Sequence, residues 1–134
     1  MNPRSLLGIT LFAALALASA CAQLPAESGP ATPEVVSADG VQRLTVLVSN
    51  ENRFSPSQIV VKAGMPIELT LRSIGLAAHD FSIADGVEEP VKIAVDGGGT
   101  TTATFTLDRP GTYKFVCSVP GHADGGMHGT IKAE

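Results

Sequence analysis

The chain has 134 residues, enough for one domain. Its 9 basic and 13 acidic side chains leave a formal charge of −4, and no basic patch or basic helix is present, which argues against nucleic acid as a partner. The acidic excess is spread along the chain and serves solubility.

The N-terminus reads as a targeting segment. Arg4 supplies a positive start, an apolar run of small residues follows, and Ala18-Ser19-Ala20 closes it, the layout of a secretory signal over residues 1–20. The run is too short and alanine-rich for a membrane span, which needs about 20 strongly apolar residues. Export to the periplasm or another extracytoplasmic compartment is therefore expected. Cys21 follows at once, and Ala18-Ser19-Ala20-Cys21 resembles a bacterial lipoprotein cleavage box, in which the cysteine becomes the lipidated first residue. Such boxes usually place leucine three residues before the cysteine, whereas Leu17 here lies four before. Lipidation of Cys21 and attachment to a membrane are the expectation, with ordinary cleavage after Ala20 as the alternative. Either leaves Cys117, the only other cysteine, as a free thiol. Residues 22–40 hold three prolines, two glycines and little bulky apolar content, so residues 21–40 read as an attachment cysteine and flexible tether. The folded domain is expected over 41–134.

That domain reads as β throughout. Leu44, Val46 and Val48 alternate with Thr45 and Leu47, and Ile67, Leu69 and Leu71 with Glu68, Thr70 and Arg72. The same period of two sets His79, Phe81 and Ile83 on one face, then Ala103, Phe105 and Leu107, then Tyr113, Phe115 and Cys117. A last strand opens at Met127 and shares its face with Ile131. Turn signals separate the segments at Lys62-Ala63-Gly64, Asp85-Gly86, Asp96 to Gly99, Arg109-Pro110-Gly111 and Asp124-Gly125-Gly126. Seven to eight short strands in a domain of this size predict an all-β Greek-key sandwich.

The chemistry concentrates at its C-terminal hairpin. Cys117 ends one strand, Pro120 and Gly121 turn the chain to put His122 in a loop, and Met127 opens the next strand. Thiolate, imidazole and thioether thus meet at one end of the sandwich. His79, on an inward strand face, is the natural fourth donor, whereas His128 has the opposite parity to Met127 and should point outward. Taken singly, Cys117 would be a buried thiol, His79 a core histidine and Met127 core filling. Together they are an unusual donor set. Structural zinc sites use several cysteines or histidines at spacings such as C-x2-C, absent here. Calcium and magnesium take oxygen ligands. Two imidazoles and a thiolate with a weak axial methionine suit one copper ion cycling between Cu(I) and Cu(II).

At this point the chain resembles the cupredoxins, the small blue copper proteins, which carry an upstream histidine and a Cys…His…Met loop on a β-sandwich. His79, Cys117, His122 and Met127 match those positions. The C-x4-H-x4-M spacing is similar to that of rusticyanin and auracyanin, and FSPSQIVVKAG and GTYKFVC add to the likeness, which covers 41–134. The resemblance implies coordination through both histidine Nδ1 atoms and an exposed His122 edge ringed by apolar residues, where electrons enter and leave. Ile74 to Ala78 and Pro120, Gly121 and Ala123 agree with such a rim. Asp80 departs from the family, in which asparagine or serine commonly follows the first histidine and braces the cysteine loop, here expected near Ser118. Its charge should favour Cu(II).

The implied function is a monomeric, non-enzymatic electron carrier working between redox proteins at the outer face of a bacterial membrane. A periplasmic copper-handling role, as chaperone or resistance protein, is the alternative. Multicopper oxidases and copper nitrite reductases need further histidine clusters, and only His128 remains.

Overall fold

The computed structural model describes residues 35–36 and 38–134. The signal segment 1–20, Cys21 and most of the expected tether lie outside the described residues. The strands are β1 (Val35–Val36), β2 (Gln42–Ser49), β3 (Arg53–Ser55), β4 (Gln58–Val61), β5 (Pro66–Ser73), β6 (His79–Ile83), β7 (Val91–Val95), β8 (Thr100–Thr106), β9 (Gly111–Val116) and β10 (His128–Ala133). One five-stranded sheet runs β1-β2-β5-β8 with β3 added to β2, and the other runs β4-β10-β9-β6-β7. The expected sandwich is present. Its two additional pieces, β1 and β3, are two and three residues long, too short to leave an alternation signal. Val35 and Val36, within the segment read as tether, pair with Arg43 and Gln42.

Both sheets mix parallel and antiparallel pairs. β2 runs parallel to β5, with Leu44 opposite Leu69, and β4 runs parallel to β10, with Ile59 opposite Ile131. A tight turn cannot join parallel neighbours, so each pair requires a crossover. Between β2 and β5 the chain makes it by passing through β4, in the other sheet.

The alternation seen in the sequence is what builds the core. Val46, Val48, Ile67, Leu69, Leu71, Phe81, Ile83, Phe115 and Ile131 are fully buried. At its centre Phe115 stacks on Phe81 with ring centroids 4.4 Å apart and meets the edge of Phe54 at 5.0 Å. Aromatic pairs in these arrangements add about 0.5–1.5 kcal/mol each beyond the burial of their area. Ala103 and Phe105 are only half-buried, because β8 is an edge strand. Buried Gln42 is satisfied by the turn after β4: its Nε2 donates to the Lys62 carbonyl at 2.9 Å and its Oε1 accepts from Lys62 N–H at 2.7 Å.

Gly129 shows how tightly the end of the sheet near the hairpin is packed. A Cβ there would run into the Phe115 ring and the Ser57 carbonyl, which already accepts Thr130 N–H at 2.8 Å. Backbone cannot yield as a side-chain tip can. Gly129→Ala is expected to destabilise the metal-free protein by about 1–3 kcal/mol, read as a lower urea midpoint at unchanged slope.

Candidate metal centre

The loop between β9 and β10 is wound by its own backbone. Cys117 N–H donates to the Met127 carbonyl at 3.1 Å, and Met127 N–H donates to the His122 carbonyl at 3.0 Å. His122 N–H in turn donates to Val119, Gly125 N–H to Gly121, and Gly126 N–H to Ala123. Gly121 and Gly126 sit at φ +83° and +96°, a region that side-chain-bearing residues rarely enter. The N–H groups of all three residues and the carbonyls of His122 and Met127 are thus committed within the loop.

His79 reaches the same place from the start of β6. The donor atoms of His79, Cys117 and His122 lie within 4.8 Å of one another. Cys117 Sγ is 3.4 Å from His122 Nδ1, and the two imidazole centroids are 4.9 Å apart at an interplanar angle of 47°. Cys117, Met127 and His79 are buried, and His122 is half-buried. Met127, held between the two other loop residues, is fully enclosed. His128 is exposed, as its parity requires.

His79 carries the strongest sign of a metal site. Its Nδ1 and Nε2 are both buried, and neither has a hydrogen-bond partner. Buried polar atoms are nearly always paired, because an unpaired one costs about 1–3 kcal/mol. Burial, then the adjacent His122, push its pKa below the ordinary 6.5, outweighing the opposite pull of Asp80 and the Ser49 backbone. The Ser49 backbone thus approaches the ring without hydrogen-bond geometry. A neutral imidazole with an open lone pair, beside a thiol and a second imidazole, is a donor set suited to a metal cation. Atoms bound to one ion at about 2.0–2.3 Å stand at most about 4.6 Å apart, the scale of the observed cluster. Among the described residues no carboxylate joins the three, which disfavours calcium and magnesium.

Asp80 is instead turned to the loop. Its Oδ1 accepts Ser118 N–H at 2.8 Å and Ser82 Oγ–H at 2.8 Å, and its Oδ2 accepts Ser118 Oγ–H at 2.7 Å. Its own N–H donates to Cys117 Sγ at 3.4 Å. Burial pushes the carboxyl pKa up, but these hydrogen bonds and Lys92 together hold it below 3.8. The brace to Ser118 lies where the family resemblance implied it. Two participants had no sequence signal. Lys92 is brought in by strand pairing, opposite Ser82 on β7. Asn50 Oδ1 accepts the N–H groups of Leu76 and Ala77 at 2.9 and 3.0 Å, fixing the loop before His79. Leu76 there is 90% exposed, the one exposed large apolar side chain among the described residues.

An imidazole kept neutral by burial ties stability to pH. Below about 6.5 the unfolded chain binds a proton at His79 that the folded state resists, so metal-free stability should fall on acidification. His79→Leu removes both the unpaired nitrogens and this titration. The metal-free variant should unfold at the same or higher urea concentration at pH 7 and lose less between pH 7 and 5 than the parent. An equal acid loss in both would contradict this account.

Comparison with known proteins agrees with the geometry. Over its whole length the chain is 22% identical to the copper-resistant cuproprotein CopI of Pseudomonas aeruginosa, spanning 99% of that protein. It is 26% identical to auracyanin-B of Chloroflexus aurantiacus over 70% of this chain, which corresponds to 42% of that longer protein. The solved structure of auracyanin A, a "blue" copper protein of Chloroflexus aurantiacus, superposes with a TM-score of 0.64 at 19% identity, covering 71% of this chain and all of that one, a likeness of fold. Residues 8–131 match the cupredoxin-like domain family, and the chain belongs to it.

Proposed function

We propose that the domain is a mononuclear type 1 copper protein that carries single electrons between redox partners outside the cytoplasm. The observation that carries this reading is the convergence of Cys117 Sγ and His122 Nδ1 on a buried His79 whose ring nitrogens lack partners. Two imidazoles, a thiolate and the enclosed Met127 thioether form a soft, mixed donor set that suits copper better than zinc or a hard cation. A copper ion bound there would take up and release one electron.

The remaining work falls to the chain. His79, Cys117 and His122 are fixed by sheet and loop hydrogen bonds, so the donors need not rearrange between oxidation states. Asp80 N–H offers Cys117 Sγ a hydrogen bond that tempers its charge. His122 is the least buried of the three converging donors and supplies the edge through which an electron would pass. Exposed Leu76, Ala78, Pro120 and Gly121 form an apolar rim on the adjoining loops, suited to brief docking of a redox partner. Export through residues 1–20 and a lipid on Cys21 would hold the domain at a membrane's outer face, with the following segment as tether.

A copper-resistance role is the second reading, favoured by the match to CopI along the full length of both chains. The two differ in how firmly copper is kept. A carrier retains its ion through many redox cycles, whereas a handling protein yields it to a competitor.

Titration of the metal-free domain with Cu(II) should give an intense visible band that saturates at one copper per chain and bleaches reversibly with reductant. Cys117→Ala should abolish the band, while Met127→Leu should keep it and shift the midpoint potential, as expected of an axial ligand. Absence of the band in the parent would remove the type 1 assignment. In a separate measurement, the reduced protein is mixed with an excess Cu(I) chelator. Retention over hours supports the carrier, and loss within minutes supports copper handling.

A further inference from the structure

Asp80 occupies a position where a charge is hard to accommodate. By strand parity it faces away from the core, yet its side chain is only 5% exposed, because Ser82, Ser118 and Lys92 close over it. A buried carboxylate satisfied only by neutral donors still lacks a counter-ion, and an uncompensated buried charge is strongly destabilising. Lys92 supplies one. Its Nζ stands 3.5 Å from Asp80 Oδ2 and donates to Ser118 Oγ at 2.9 Å, while Ser118 Oγ–H donates to the same Asp80 oxygen at 2.7 Å. The three groups form a closed triangle spanning β6, β7 and the residue after Cys117. Asp80 also holds Ser118 N–H and donates its own N–H to Cys117 Sγ, so this triangle sets where the sulfur sits.

We propose that Lys92 is the counter-charge of Asp80, clamping with the Ser118 hydroxyl the carboxylate that braces Cys117, and is thereby a positioning residue for the thiolate and a determinant of the centre's midpoint potential. The potential rests on the copper reading above; the clamp does not. Lys92 acts from the surface, with its side chain 61% exposed and its ammonium on Asp80 and Ser118. Its charge offsets that of Asp80, so the brace is close to neutral overall, as it would be with an uncharged residue at position 80. Removing Lys92 would leave one net negative charge beside the site and favour the more positive ion. Removing the charge of Asp80 would do the reverse.

The test is a double-mutant cycle in the metal-free full domain, with Lys92→Met, Asp80→Asn and their combination compared by urea unfolding. Lys92→Met should raise the unfolding constant about three- to tenfold in the parent and by less than about twofold in the Asp80→Asn background. Lys92→Arg should restore most of the loss, since it keeps the charge. Equal effects of Lys92→Met in both backgrounds would overturn the clamp whether or not the protein binds copper. In the copper-loaded protein, the midpoint potential should fall in Lys92→Met, rise in Asp80→Asn and stay near the parent in Lys92→Arg. A potential unmoved by Lys92→Met would overturn the tuning role. A metal-free cycle that shows coupling in a protein giving no blue band would leave the clamp standing and remove the copper reading alone.

Discussion

The hydrogen bond from Cys117 N–H to the Met127 carbonyl is the point on which the metal end of this molecule turns. It extends the β9–β10 ladder one step beyond the strands, at the place where the chain must leave the sheet and come back. Because that step is kept, the nine residues between can be wound tightly, and the Cys117 sulfur and the His122 ring are delivered to one spot, with buried Met127 closing the loop. The Met127 N–H to His122 carbonyl bond fixes the middle of the loop in the same way. Neither bond involves a side chain, so both leave the donor side chains free to bind.

A second consequence is the condition of His79. Neither ring nitrogen finds a partner, and Asp80 beside it is already committed to Ser118, Ser82 and Lys92. The imidazole is held where folding alone would not put it. Such conflicts between local stability and placement are expected at functional sites, where a buried polar group without a partner marks what the fold is built to receive.

Much of this was legible in the amino-acid order. Alternation at Leu44–Val48, Ile67–Leu71 and Tyr113–Cys117 identified strands and their inner faces, because one buried face forces a period of two. The spacing of Cys117, His122 and Met127 located the loop, and the parity of His79 and His128 separated the inward histidine from the outward one. Partner choice between strands was not legible. Periodicity is blind to direction, so the parallel pairing of β2 with β5 and of β4 with β10 could not be read. β1 and β3 were too short to register, and edge placement left Phe105 half-covered. Lys92 and Asn50 were hidden for a related reason: an exposed lysine on a strand and an asparagine in a turn are commonplace until pairing shows what each faces.

The order of the second sheet sets how the site can come apart. β4 and β7 form its edges and carry no donor, while β6, β9 and β10 lie inside. β10 is inserted between β4 and β9, and the loop from Cys117 to Met127 leads into it. Fraying β4 therefore leaves every donor in place, whereas fraying β7 would withdraw Lys92 and the strand with which His79 pairs. Losing the loop means withdrawing an interior strand together with Ile131 and the packing around Phe115, a cooperative opening close in scale to unfolding of the sheet. Folding and metal retention become a single equilibrium, and a bound ion would act as the bolt of the sandwich as well as its reactive centre.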